Sequence, residues 1–207
     1  MTTAVEVMER RVQETGKLEL RKQKRSDDDT SESQITIRGY AAVFNKLSFN
    51  LGGFREQIAP GAFDGVMNDD VRALFNHDAN FVLGRLCAGT LRLGQDATGL
   101  WYEVDLPDTQ VAEDLAESIG RGDVTQSSFA FSVSYDGQSW DEDDEVGTVR
   151  TIVKISRLYD VSPVTYPAYP DSTIATRSMN EWRSQSTAKQ QHEAVASRKR
   201  QMKILGI

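Results

Sequence analysis

Alternating apolar and polar residues are the main pattern in the middle of the chain, and this alternation predicts β-strands. The clearest run is QITIRGYAAVFN at 34–45, in which Ile35 and Ile37 alternate with polar neighbours. Further strand-like runs lie at 54–58, 71–75, 83–93, 99–106, 126–135 and 148–159. About seven strands with few helices between them predict a mainly β fold, a closed or partly open antiparallel β-barrel flanked by helices.

Helical periodicity is confined to short segments. Residues 109–119 carry apolar side chains three and four positions apart between Pro107 and Gly120, which predicts a helix. A shorter helix is predicted at 62–67, and residues 140–147 (WDEDDEVG) predict an acidic loop between two strands.

Charge divides the chain into three parts. Residues 1–33 hold seven basic and eight acidic residues and are dominated by polar side chains, so we predict a flexible charged arm. Residues 34–176 hold 10 basic and 21 acidic residues together with the strand-like runs, and we predict a single folded domain there. Residues 177–207 hold seven basic and two acidic residues, a basic tail with a short helix considered near 181–195.

The scarcity of cysteine and histidine excludes several chemistries. One cysteine cannot form an internal disulfide, and Cys87 with His77 and His192 cannot build a structural zinc site. No apolar run approaches the ~20 residues of a membrane span, and the N-terminus does not look like a signal peptide. We therefore expect a soluble protein of a reducing compartment, without a membrane partner, a metal or a cofactor.

The basic tail raises the question of nucleic-acid binding, since clustered Lys and Arg neutralise phosphates. Trp182 is the only aromatic residue of the tail, and the body of the chain is acidic. These features argue against a nucleic-acid partner. We expect the tail to contact an acidic protein surface instead.

His77 is the only histidine of the predicted domain, since His192 lies in the tail. It follows the apolar run 71–75, and strand ends and loops commonly present catalytic groups. A surface histidine or a structurally bonded one fits the same pattern, so both interpretations stay open.

Two further residues complete a candidate constellation. In QSSFAFSVSY at 126–135, a period of two places Ser128 opposite the face of the aromatic residues, although a solvent-facing row of serines gives the same pattern. Asp160 is a carboxylate in an apolar strand end and needs a partner, either an imidazole or backbone N–H groups. Nucleophilic serine chemistry needs a base and an acceptor that orients it. His77, Ser128 and Asp160 have the right types, and spacing does not establish that they meet.

Seven short blocks, in one order between residues 35 and 172, resemble the prohead protease family of tailed phages. They are Gly39–Asn45, Ile58–Phe63, Asn76–Asp78, Leu83–Arg85, Gly89–Leu91, Ser128–Phe131 and Asp160–Ala168. The resemblance implies a serine endopeptidase related in fold to the herpesvirus capsid maturation protease. It also implies action inside the immature capsid, in the host cytoplasm, on the major capsid protein and its scaffolding segment, often with self-digestion, by an enzyme that we expect to be a homo-oligomer.

The resemblance also assigns residue roles. His77 matches the family's histidine and Ser128 its nucleophile, in preference to the neighbouring Ser127. Asp160 lies in a segment that resembles the one in which the herpesvirus enzymes carry a second histidine, and a carboxylate orients an imidazole well. Asp78 is the alternative third residue.

The sequence does not single out one donor to the oxyanion. Backbone N–H groups are one source of stabilisation, and Arg85 and Arg157 are candidates for oxyanion or substrate contact.

Three other interpretations stay open. Cys87 is a conceivable nucleophile, although its apolar neighbours favour a buried packing role. Glu103 and Asp105 share one strand face, as the paired carboxylates of a glycosidase would. A non-enzymatic scaffolding or assembly protein with two interaction arms fits the same charge pattern.

Overall fold

The computed structural model describes residues 7–13, 18–24, 33–166, 179–180, 182–184 and 187. The described strands are β1 (Glu9–Gln13), β2 (Glu19–Lys24), β3 (Ser33–Val43), β4 (Arg55–Ile58), β5 (Arg72–Phe75), β6 (Asp78–Arg85), β7 (Leu91–Gln95), β8 (Gly99–Asp105), β9 (Gln126–Ser132), β10 (Gln138–Asp143), β11 (Gly147–Ile152) and β12 (Arg157–Val164). Helix α1 spans Gln110–Arg121, and short 3-10 helices span Leu86–Ala88 and Tyr135–Gly137. No helix in these ranges is long and apolar enough to cross a membrane.

The strands form three sheets, in the orders β1-β9-β12-β5-β6, β10-β11-β4 and β2-β3-β8-β7. The prediction of a mainly β fold with few helices is confirmed. Between the described strands, no sheet closes on itself, so the predicted barrel is not confirmed. Most neighbouring strands are antiparallel, whereas β4 with β11 and β5 with β12 are parallel.

Several predicted elements differ from those observed. The runs 83–93 and 148–159 are each interrupted, the first by a 3-10 helix that is followed by the capping residue Gly89, whose φ of 73° is left-handed. Residues 62–67 form turns rather than a helix, and the acidic segment 140–147 belongs to the β10–β11 hairpin. The interruptions, five residues between β6 and β7 and four between β11 and β12, leave the hydrophobic pattern nearly unchanged, so a periodicity argument merges the strands.

The predicted helix at 109–119 is confirmed as α1, which is followed by the left-handed capping residue Gly122 (φ 86°). The predicted arm at 1–33 contains β1 and β2, so residues 9–13 and 19–24 are ordered strands. Residues 179–180, 182–184 and 187 are helical, close to the region where a tail helix was considered, and the rest of the tail lies outside the described residues.

One hydrophobic core holds the sheets and α1 together. Phe129 and Phe131 of β9 are fully buried, their rings are stacked with centroids 4.8 Å apart, and Phe63 packs edge-on against Phe129 at 5.8 Å. Helix α1 contributes its apolar face through Leu115 and Ile119. Each buried side chain of this size stabilises the fold by about 1.5–3 kcal/mol. The core therefore anchors β9 from one face and leaves the opposite face for the site.

Candidate active site

The alternation along β9 places Ser128 on the face away from the core phenylalanines. Ser128 is fully buried, so the alternative of a solvent-facing serine row is wrong. Its partner across the antiparallel β9–β12 pair is Ser162. Because side chains alternate along a strand, Asp160 lies on the same face of β12 as Ser162.

His77 lies in the two-residue turn that joins β5 to β6. Phe75 pairs with Asp78, and the two turn residues, Asn76 and His77, have φ values of 54° and 58°. Positive φ at both positions is the conformation of a type I′ hairpin turn, whose twist matches that of the flanking strands. Asn tolerates this conformation and His does so at some cost. The tight turn projects the imidazole across β12 towards β9.

The three residues that the sequence analysis singled out lie in one hydrogen-bonded row. The Nε2 atom of His77 is 2.6 Å from the Oγ atom of Ser128, and Nδ1 is 2.6 Å from Oδ1 of Asp160. The side chains of His77 and Asp160 are only 4% and 8% exposed. With Nδ1–H donating to the carboxylate, Nε2 is left as an acceptor for the serine hydroxyl. This is the arrangement that a serine nucleophile with its base requires.

Ser162 is a fourth polar residue of this row. Its hydroxyl donates to Oδ1 of Asp160 at 2.8 Å and lies 3.4 Å from Nδ1 of His77. The register between β9 and β12 shifts between Leu158 and Asp160. Bulges often re-aim side chains next to functional sites. Here the shift precedes Asp160 directly and sets the direction of its carboxylate.

β1 covers the other edge of β9. Val12 pairs with Ser128 and Arg11 with Phe129, in antiparallel register. The hydroxyl of Ser128 donates to the carbonyl oxygen of Arg11 at 3.0 Å. A hydroxyl has one proton and therefore serves one acceptor at a time, so the Arg11 carbonyl competes with His77 for it.

Four buried charged side chains join β1 to the rest of the fold. The guanidinium of Arg11 donates to both carboxylate oxygens of Glu56, at 2.8 and 3.2 Å, and also to Glu9. The guanidinium of Arg150 donates to both oxygens of Glu9, at 2.8 and 2.9 Å, and to Glu56 at 2.7 Å. Two positive and two negative charges balance, and all four residues are at most 5% exposed. We call these residues the charge cluster.

The charge cluster keeps Glu9 and Arg150 ionised. Burial raises the pKa of the Glu9 carboxyl, but the hydrogen bond and charge of Arg150 and the charge of Arg11 outweigh it, so the pKa lies below its ordinary value of 4.5. Burial lowers the pKa of Arg150, and the neighbouring Glu56 and Glu9 outweigh that effect and raise it. Glu9 and Arg150 are therefore both charged at neutral pH.

The rival nucleophile Ser127 points to the other side of β9. It is buried, and its Oγ atom lies 2.9 Å from the phenolic oxygen of Tyr102. Burial raises the pKa of Tyr102, so the phenol stays protonated. Ser127 therefore shares a hydrogen bond with Tyr102 and does not reach the imidazole of His77.

The two arginines considered for oxyanion contact are engaged elsewhere. Arg85 is exposed and donates to both carboxylate oxygens of Asp70, at 2.7 and 2.6 Å. The guanidinium of Arg157 lies over the ring of Tyr159, 4.9 Å from its centroid. In the described residues, no contact joins either arginine to Ser128, His77 or Asp160. Arg85 also lines a groove of about 860 Å³ beside α1, which does not include those three residues.

The remaining candidates are also in other environments. Oδ1 of Asp78, the alternative third residue, accepts bonds from the backbone and side chain of Asn80. Cys87 is exposed rather than buried, and its thiol donates to Asp70 at 3.0 Å, so the predicted packing role is wrong. Cys87 follows a strand end on a 3-10 helix, where the apolar neighbours no longer imply burial.

The carboxylates considered for glycosidase chemistry are bound to arginines. Glu103 accepts from Arg38 at 2.9 Å and from Arg92 at 3.3 Å. Asp105 accepts from Arg92 at 2.7 and 2.9 Å and from Thr36 at 2.7 Å. Such ion pairs on an outer sheet face are typical of structural carboxylates.

Sequence reasoning did not find the charge cluster or the role of Ser162. Arg11 and Glu9 lie in a segment whose composition resembles that of a disordered arm, and no local pattern pairs them with Glu56 or Arg150. Ser162 lies two residues after Asp160, a spacing that places both on one strand face, and this signal was available.

Comparisons with known proteins agree with the fold. The family model described as caudovirus prohead serine protease matches residues 19–185. Among solved structures, the capsid assembly protease gp21 of bacteriophage T4 is similar, with a TM-score of 0.51 and 10% identity over 76% of this chain and 96% of that chain. At this identity the likeness concerns the fold alone, and no match was found among curated proteins. Since the family model covers most of the sequence, the chain belongs to the caudovirus prohead serine protease family.

Proposed function

We propose that this chain is a serine endopeptidase in which Ser128 is the nucleophile, His77 the general base and Asp160 the acceptor that orients the imidazole. The observation that carries the proposal is the buried hydrogen-bonded row from Ser128 Oγ through His77 to Asp160 Oδ1, with both bonds 2.6 Å long. Membership of a serine protease family supports the same assignment.

The proposed mechanism follows from this row. The Oγ atom of Ser128 attacks the scissile carbonyl carbon while Nε2 of His77 takes its proton and passes it to the leaving amine. Asp160 accepts the Nδ1–H bond and stabilises the imidazolium that forms. Water then hydrolyses the ester, with His77 again acting as base. Backbone N–H groups are the proposed donors to the oxyanion.

The proposed substrates are the scaffolding segment of the major capsid protein and the enzyme's own terminal segments, cleaved inside the prohead in the host cytoplasm. Family membership supports a role in capsid maturation. We also propose a charged N-terminal arm of residues 1–33, which carries β1 and β2, a protease domain of residues 34–176, a basic C-terminal tail of residues 177–207, and a homo-oligomeric enzyme.

The test is co-expression with the major capsid protein, followed by mass spectrometry of both chains. We expect the wild type to shorten the capsid protein and Ser128→Ala to leave it intact. Ser127→Ala is the matched control, since that serine lies next in sequence and bonds to Tyr102 instead of His77. Persistent cleavage with Ser128→Ala would contradict the assignment. Intact capsid protein with the wild type would favour a non-enzymatic assembly role.

A further inference from the structure

β1 lies where an extended substrate would have to bind in order to reach Ser128. One edge of β9 is occupied by β12, and β1 takes the other in antiparallel register. Adding a strand to a sheet edge is a common mode of peptide recognition, because the main chain supplies affinity and alternate side chains supply specificity. The family match begins at residue 19, so β1 precedes the matched domain.

The register of β1 presents one particular peptide bond to the nucleophile. The carbonyl oxygen of Arg11 lies 3.0 Å from Oγ of Ser128, and Val12 is directly opposite Ser128. The bond next to the nucleophile is therefore the one between Arg11 and Val12. In β1 as docked, Oγ faces the carbonyl oxygen rather than the carbon, so the strand occupies the site without being aligned for attack.

The side chains of β1 meet complementary charges. Arg11 forms a two-bond pair with Glu56, and Glu9 forms a two-bond pair with Arg150. Arg150 is itself held by the side-chain oxygen of Gln138 at 2.6 Å. Outside β1, the protein therefore provides a buried anion, Glu56, and a buried cation, Arg150. Their positions fit a strand that carries an arginine and, two positions before it, an acidic residue.

Stability alone does not explain why the four residues of the charge cluster are charged rather than apolar. Two buried ion pairs contribute little more than well-packed apolar side chains of similar volume, because desolvation offsets their attraction. They contribute strongly to discrimination, since a ligand that lacks one charge leaves its partner buried and unpaired. Arg10, whose side chain lies between Glu9 and Arg11 in sequence, is exposed and carries no such contact.

We propose that β1 occupies the site of the substrate strand, and that Glu56 and Arg150 are specificity residues that select an arginine at the cleaved bond with an acidic residue two positions before it. The inference rests on the proposed function, since it describes the substrate of the same site. Cleavage of such a peptide forms a bond between Ser128 Oγ and the arginine carbonyl carbon. The bond to the following nitrogen breaks, and His77 delivers the hydroxyl proton to that amine. Water then releases the arginine carboxylate and restores the serine.

The test uses the full-length protein and a synthetic peptide with the sequence of residues 7–16, VMERRVQETG. Three further peptides carry Arg11→Gln, Glu9→Gln or, as the matched control, Arg10→Gln. We expect cleavage between the arginine and valine that correspond to Arg11 and Val12. The kcat/KM should fall at least ~10-fold for the first two substitutions and stay within about twofold for the control. Equal cleavage of all four peptides, or cleavage at another bond, would overturn the inference.

An enzyme variant tests the same pairing from the other side. Glu56→Gln should bring the kcat/KM values of the parent and Arg11→Gln peptides to within about threefold of each other. If this variant fails to fold, the four peptides assayed with the wild-type enzyme still test the inference. Denatured casein separates the two proposals: Ser128-dependent cleavage of casein without cleavage of the parent peptide overturns the inference alone. No Ser128-dependent cleavage of either substrate overturns the proposed function and the inference with it.

Discussion

The side chain of Asn76 bonds to Thr165 at two points, accepting from its backbone N–H at 2.8 Å and donating to its hydroxyl at 3.2 Å. The backbone N–H of Asn76 also donates to the carbonyl of Pro163 at 3.1 Å. The turn that carries His77 is thus fixed to the end of the strand that carries Asp160. We infer that Asn76 is a positioning residue for the imidazole.

Replacing Asn76 separates its backbone role from its side-chain role. Asn76→Gly keeps the positive φ but removes both side-chain bonds, and Asn76→Asp keeps the acceptor for Thr165 N–H. We expect kcat on a cleaved peptide to fall about tenfold for glycine and less for aspartate, with KM within about twofold, because small displacements of a base are costly. Thermal unfolding checks that both variants fold. A glycine variant with the wild-type kcat would refute the positioning role.

The local part of the site was predictable from sequence. The period of two along 126–135 placed Ser128 opposite the aromatic residues, and the structure has Phe129 and Phe131 in the core. The left-handed turn at Asn76 and His77 was harder to predict from the sequence, because Asn76 is the only residue in it whose type indicates such a turn. The roles of His77, Ser128 and Asp160 stay a prediction until variants are assayed.

The convergence of the three residues was not predictable, because it depends on strand order. His77 is 51 residues from Ser128 and 83 from Asp160 along the chain. They meet because β12 lies between β5 and β9. The same limit applies to β1, whose Arg11 and Glu9 find their partners 45 and 141 residues away. Composition identifies Arg11 and Glu9 only as charged residues. It gives no indication that folding brings opposite charges next to them.

A second prediction concerns the hydrogen bond between Tyr102 and Ser127 behind β9. Tyr102→Phe or Ser127→Ala alone leaves a buried hydroxyl without its partner, and each should lower the free energy of unfolding by about 1–2 kcal/mol. The double variant should lose less than the sum, since both groups are removed together. Urea unfolding measures all four proteins. Additive losses would show that the two hydroxyls do not interact.

The third prediction follows from the lowered pKa of Glu9. A carboxyl whose pKa is lowered on folding stabilises the folded state above its unfolded value, 4.5, and this contribution is lost as the pH falls through the folded pKa. The groups that face it are Arg11, Arg150 and Glu56. At pH near 7, Glu9→Gln should lower the free energy of unfolding by up to about 3 kcal/mol.

The pH dependence of that difference is the measurement. Other carboxylates titrate in both proteins, so subtracting the variant from the wild type isolates Glu9 and its neighbours. The difference between the two free energies of unfolding should shrink as the pH is lowered from about 7 towards 3. A difference that is constant over this range would mean that Glu9 does not bind Arg150 and Arg11 as a carboxylate.

The last prediction asks whether β1 controls access to Ser128. A fluorophosphonate reacts with an activated serine by forming an Oγ–P bond with loss of fluoride, and it needs no peptide subsites. With β1 docked, Ser128 is fully buried and its hydroxyl is bonded to the Arg11 carbonyl. Arg11→Gln removes the pair with Glu56 and leaves the buried Glu9 and Glu56 facing a single arginine. We therefore expect β1 to separate from β9 more often in this variant.

The rate of phosphonylation, followed by intact-protein mass spectrometry, should rise at least ~10-fold in Arg11→Gln, since breaking one buried ion pair costs well above 1.4 kcal/mol. Arg10→Gln removes the same charge from an exposed neighbouring position and should react at the wild-type rate. Ser128→Ala should not react at all, which identifies the modified residue. Equal rates in the wild type and Arg11→Gln would mean that the probe reaches Ser128 without displacing β1. The strand would then be a fixed part of the site, and the charge cluster would be structural.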